Sequence, residues 1–116
     1  MDLHTEFSQG VVKKALECVE VAKKTGKLKK GANEATKAIE RGTAKLILIA
    51  KNTNPQEIIM HIPVLCTEKD IPCVVVATKE ELGSSAGLVV PTSAVAIIQE
   101  GDAKNLIKEL ASSLKK

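Results

Sequence analysis

Three short apolar runs constrain this chain most: Leu46-Ile47-Leu48-Ile49-Ala50, Cys73-Val74-Val75-Val76-Ala77 and Ala94-Val95-Ala96-Ile97-Ile98. No polar residue interrupts any of them. A strand with one wet face would alternate, and a surface helix would show polar residues every third or fourth position. Runs of five rich in β-branched residues read instead as strands covered on both faces. Between and around them lie amphipathic stretches, so strands alternate with helices. The pattern predicts an α/β chain: a single-domain α-β-α sandwich spanning 1–116, with a small mixed sheet of about four strands and helices on both faces. Strand order does not follow from the pattern.

The helices can be placed individually. Val11, Val12, Ala15, Leu16, Val19 and Ala22 recur at helical spacing, with Lys13, Lys14, Glu17, Glu20 and Lys24 between them, and the helix should stop near Gly26. Leu28 to Lys30 can form a very short strand. Gly31-Ala32-Asn33-Glu34 opens a second helix, running to Arg41 and closed by Gly42. Asn54-Pro55-Gln56-Glu57 sets out a cap, a first-turn proline and a glutamate in order, a helix start. That helix carries Ile58, Ile59, Ile62, Leu65 and Cys66 and ends before Pro72, with a kink or break at Pro63. Thr78-Lys79-Glu80-Glu81 is a capping box for a short helix. Gly83 to Pro91 reads as loop. A last helix starts at Gly101-Asp102, with Leu106, Ile107, Leu110 and Leu114 on one face.

At 116 residues with 44% hydrophobic content, the chain can bury a core without disulfides or metal. Phe7 is its only aromatic residue, so Val, Ile, Leu and Ala must build that core. The same scarcity removes the nucleic-acid binders that stack bases on exposed rings. Cys18, Cys66 and Cys73 are odd in number and lack CxxC spacing, as expected of buried free thiols in a reducing compartment. No apolar stretch approaches the ~18 residues of a membrane span. The first residues lack the basic flank and apolar block of a secretion signal. A cytoplasmic location is expected.

The charge is unevenly spread. Between Lys23 and Lys45 stand eight basic residues against two acidic ones, a net +6; the whole chain is +3, which leaves −3 for the remainder. Such asymmetry is either a solvated lysine-rich surface or the footprint of a polyanion partner.

Two motifs suggest chemistry. Gly83-Ser84-Ser85-Ala86-Gly87 matches the G-x-S-x-G of hydrolases, which needs a buried strand before it, a helix after it and a nearby base. Here polar Lys79-Glu80-Glu81 precedes it, and the only histidines are His4 and His61. A turn is the better reading, although a small hydrolase using Ser85 is the competing one. His61 with Cys66 is too small a set for zinc, which takes about four protein ligands or three and a water. Neither a P-loop nor a dinucleotide GxGxxG occurs. No metal, cofactor, membrane or small-molecule substrate is indicated.

The start of the second helix is more informative. A helix N-terminus after a glycine offers free N–H groups that favour anions. Glu34 in its first turn would repel a bare phosphate, but it can accept from guanine N–H donors. Asn33 can both donate and accept. Lys37 shares their face and could reach guanine O6 or N7, and Arg41, a turn further, a phosphate. The bland alternative is a favourable first-turn charge followed by a solvated face. Leu88-Val89-Val90-Pro91 offers a similar choice. It either begins a buried strand or forms an apolar platform for an unstacked base, or for a partner protein if the chain is an adaptor.

Taken together, Lys29-Lys30-Gly31-Ala32-Asn33-Glu34-Ala35-Thr36-Lys37, Arg41-Gly42, Ile62-Pro63-x-Leu65-Cys66, Leu82-Gly83 through Gly87, and Pro91 resemble the L-seven-Ae family of kink-turn-binding proteins, its archaeal large-subunit ribosomal members in particular. The resemblance spans nearly the whole chain at matching intervals. It implies an α-β-α sandwich, without enzymatic activity, that grips RNA where tandem sheared G·A pairs follow a three-nucleotide bulge. Asn33, Glu34 and Lys37 would then read guanines, and Gly31 would permit close backbone approach. Lys30, Arg41 and Lys79 would hold phosphates, while Leu88, Val89 and Val90, with Ile58 nearby, would cover the extruded nucleotide. The implied partners are ribosomal RNA, box C/D and H/ACA guide RNAs and ribonuclease P RNA. A Nop5–fibrillarin pair would dock afterwards on the protein–RNA surface. Three departures stand out: relatives carry an acidic residue at Val89 or an arginine at Val90, and some carry glutamate at Asn54.

Overall fold

A computed structural model of the chain describes residues 7–114. His4 lies outside the described residues. In chain order, helix α1 (Gln9–Thr25) is followed by β1 (Lys27–Lys30), α2 (Ala32–Glu40) and β2 (Leu46–Ala50). A single 3-10 turn (Gln56–Ile58) leads to α3 (Ile62–Lys69), β3 (Cys73–Val76), α4 (Lys79–Ser85) and β4 (Ala94–Gln99). A second such turn (Gly101–Ala103) opens into α5 (Lys104–Leu114).

The strands form one mixed sheet in the order β1-β4-β2-β3. β4 is antiparallel to both β1 and β2, and β3 is parallel to β2. Every residue of β2 is fully buried, as the unbroken apolar run requires. Its side chains part by alternation. Leu46, Leu48 and Ala50 join the core beneath α1, α4 and α5, while Ile47 and Ile49 join the core beneath α2 and α3. The expected α-β-α sandwich is therefore the fold, with four strands.

Two local expectations are corrected. Asn54-Pro55-Gln56-Glu57 does not start a helix. It holds a 3-10 turn, and α3 begins at Ile62 with Pro63 in its first turn. Proline has no N–H to give an i→i−4 bond, so the first turn accommodates it and the middle of a helix does not. His61 thereby precedes the helix instead of lying within it. The second correction concerns Gly83 to Pro91, whose first residues continue α4 as far as Ser85. Gly83 is there for packing: a Cβ on it would stand 2.4 Å from the Val90 carbonyl oxygen. Ser85 is consequently a buried helical residue, 7% exposed, and not a serine presented on a strained turn.

Candidate nucleic-acid interface

The sheet's register gathers most of the predicted residues at one end. Lys30 pairs with Val95, Ile49 with Ala94, and Ala50 with Val76. The C-terminal ends of β1, β2 and β3 and the N-terminal end of β4 therefore lie side by side. From this end α2 departs with Gly31, Asn33 and Glu34, and the segment carrying Ile58 leaves β2. Here too α4 begins at Lys79, and the Leu88–Val90 loop returns to β4. Lys37 and Arg41 follow one and two turns further along α2, the latter as its C-cap, at about 1.5 Å rise per residue.

The α2 start is open. Its N-cap is Gly31, with φ 99°, and no side chain caps the helix. The Gly31 N–H donates to the Ala94 carbonyl at 2.7 Å, which ties the helix start to β4. A Cβ on Gly31 would meet nothing of the protein within 4 Å. That space is left for whatever approaches from outside, and a positive φ makes glycine the low-strain occupant. Asn33 and Lys37 are exposed, and Glu34 is half-buried. Lys37 Nζ lies 3.8 Å from Glu34 Oε1. A long, solvated pair of this kind contributes under about 1 kcal/mol, so both groups are free to exchange partners cheaply.

Thr36, one turn after Asn33 on the flank of this helix nearest His61, fixes its position. Its hydroxyl contacts His61 Nε2 at 2.8 Å and donates to the Ala32 carbonyl at 2.8 Å. With the hydroxyl proton spent on Ala32, the imidazole Nε2–H is the donor to Thr36. His61 thus pins α2 to the start of α3. Neither this role nor that of Asn52, which accepts from the Lys79 N–H and donates to Glu80, is visible in the sequence, because their partners lie 25 to 28 residues away. Among the described residues no group of three metal-ligating side chains forms.

The apolar loop divides. Leu88 packs against the core, whereas Val89 is 103% exposed and Val90 58%. Ile58, at 43%, is likewise uncovered. The loop lies ahead of β4 instead of beginning it. Lys79 sits half-buried at the first position of α4, and the Thr78 hydroxyl caps that helix by accepting from the Glu81 N–H at 3.1 Å.

Basic groups are largely unneutralised. The ion pairs among the described residues are Lys14–Glu109 and Lys37–Glu34. Lys23, Lys24, Lys27, Lys29, Lys30, Arg41 and Lys45 are therefore exposed cations without a carboxylate partner among the described residues. The thiols lie elsewhere and are buried and free. Burial pushes Cys18 up from 9.0 to about 11, and the hydrogen bond with Cys66, together with burial, raises Cys73. No described helix is long and apolar enough to cross a membrane.

A small α-β-α protein with many unneutralised surface cations, whose open helix start and exposed apolar loop meet at one sheet end beside Lys30 and Lys79, belongs to the class of RNA-binding proteins. The chain is a member of the Ribosomal protein L7Ae/L30e/S12e/Gadd45 family, whose profile matches residues 13–107. The family is one of ribosomal and RNA-binding proteins, not enzymes. Among solved structures, the Giardia lamblia 15.5kD RNA binding protein is similar, with a TM-score of 0.91 and 29% identity. The match covers 97% of this chain and 94% of the Giardia protein. RNA binding within ribonucleoprotein particles is the function these likenesses support.

Proposed function

We propose that this chain recognises and stabilises kink-turn RNA. The observation that carries the proposal is the placement at one sheet end of two unlike features: a helix start bearing Asn33, Glu34 and Lys37, and the outward-facing Val89-Val90. Paired bases need polar groups in a groove, and an extruded base needs an apolar surface. A general polyanion surface would need neither Glu34 nor the valines.

In this reading Asn33, Glu34 and Lys37 meet the guanine edges of the sheared G·A pairs. Gly31 lets the backbone close in, and Lys30, Arg41 and Lys79 take phosphates. Leu88 roots the loop while Val89, Val90 and Ile58 cover the extruded nucleotide. The mechanism is conformational capture: the free RNA samples straight and bent forms, and a protein contacting only the bent form shifts the population by its differential affinity. Ribosomal RNA, box C/D and H/ACA guide RNAs and ribonuclease P RNA are the proposed targets, in an archaeal cytoplasm. A Nop5–fibrillarin pair joins after the RNA is bound.

The test is titration of the protein into an end-labelled kink-turn RNA, beside the same RNA with Watson–Crick pairs replacing G·A. Energy transfer reports the bend at two salt concentrations. Tight binding with bending of the first RNA and weak, salt-sensitive binding of the second is the expected result. Equal binding to both would reduce the surface to a polyanion patch.

A further inference from the structure

The exposed valines stand on a loop that is fastened to α4 at both ends. The Leu88 N–H donates to the Gly83 carbonyl at 2.9 Å, and the Thr92 N–H donates to the Lys79 carbonyl at 3.1 Å. Between these two bonds the loop rests directly on the helix, since a Cβ on Gly83 would lie 2.4 Å from the Val90 oxygen and 3.1 Å from Pro91 Cα. A loop seated so closely takes its position from α4. The first turn of α4 is in turn held from outside. Asn52, just beyond β2, accepts from the Lys79 N–H through Oδ1 at 2.8 Å and donates from Nδ2 to Glu80 Oε1 at 3.1 Å.

Lys79 is thus gripped on both sides of its Cα, by Asn52 at its N–H and by the loop at its carbonyl. The helix is also capped independently by Thr78, so the Asn52 contact is not needed simply to start it. What Asn52 adds is a link from the end of β2 to the height and tilt of the apolar loop.

We propose that Asn52 is a positioning residue for the extruded-nucleotide platform, setting where Val89 and Val90 stand by holding the first turn of α4 on which their loop is seated. Gly83 supplies the seat. This rests on the kink-turn reading above and adds to it a residue that determines how the bulge is met without touching it. Its prediction is selective: loss of Asn52 weakens contact with the bulge base and leaves the G·A contacts on α2 as they were.

The experiment measures binding of wild-type protein, Asn52→Ala and Gly83→Ala to two kink-turn RNAs, one intact and one abasic at the extruded position. A Watson–Crick control RNA and the thermal midpoint of each free protein accompany them. For Asn52→Ala we expect a loss of about five- to tenfold on intact RNA, the scale of one positioning hydrogen bond, and under about twofold on abasic RNA. Gly83→Ala, which must lift the Val90 carbonyl, should show the same selectivity. Equal losses on intact and abasic RNA would make Asn52 a fold-supporting residue only and overturn the proposal, as would no loss on either. If the wild type does not prefer kink-turn RNA over the control, the parent reading falls as well, and that arm shows it before any substitution is considered.

Discussion

Glu34 is the residue where a structural and a functional explanation part most clearly. As a first-turn carboxylate on α2 it complements the helix dipole, a contribution of roughly 0.3–1 kcal/mol. As a reader of guanine it would leave a donor unpaired when removed, at roughly 1–3 kcal/mol. Glu34→Ala should therefore cost little in thermal stability while erasing most of the preference for G·A pairs over Watson–Crick pairs. Lys79→Ala should behave differently, weakening kink-turn and control RNAs alike and lowering the salt slope by about one charge. Parallel titrations of both variants against both RNAs would check this, and matching losses on the control RNA would refute the division of labour. At this scale the sequence was legible where neighbours in the chain act together. Asn33, Glu34 and Lys37 share a helix face by spacing alone. Asn52 and His61 were opaque, because each acts on a partner that only the tertiary fold brings near.

At the scale of elements, the strands were the readable part. A strand buried on both faces has no polar position to conceal its limits, and β2 begins and ends where its apolar run does. With β4 it is one of the two interior strands of the sheet. Leu48→Ala, in a side chain with no exposure, should destabilise the fold by about 2–5 kcal/mol in chemical denaturation, with RNA affinity of the remaining folded protein unchanged. The segment between β2 and α3 was misread for an instructive reason. Asn54-Pro55-Gln56-Glu57 carries sound local helix-start chemistry, but Pro63 forbids a continuous helix through it, and Ile59 and Ile62 are drawn into the core separately. Gly83 misled in the other direction: a glycine required by close packing reads, in sequence, like a glycine required by a turn.

For the whole molecule, the arrangement of the two cores was the part no pattern supplied. Strand order β1-β4-β2-β3 arises from pairings between distant segments, and it brings four strand ends to one place. The same two-layer burial governs behaviour at high pH. Cys18, under α1, titrates near 11 when folded against 9.0 ordinarily, and Cys73 is shifted in the same direction. A raised folded value means the thiol form is favoured by folding. That contribution is fully present below pH 9 and is lost as pH rises from 9 towards 11. Cys18→Ala should accordingly show a shallower alkaline fall in thermal midpoint than the wild type across that window. Identical slopes would show that other groups, such as the lysines, account for it.

The gathering of the interface at the strand ends has a consequence for how such a chain can diverge. The side chains that hold the sandwich together lie along the bodies of the strands and the inner faces of the helices. Those proposed to meet RNA lie mostly at the ends of elements, on the outer face of α2 and in one loop, and the two sets scarcely overlap. Selection can therefore alter an exposed residue such as Val89 or Val90 without disturbing a packed one. The Giardia protein, at 29% identity, keeps the same fold with a TM-score of 0.91, so most positions of such a sandwich can change while its frame stays in place.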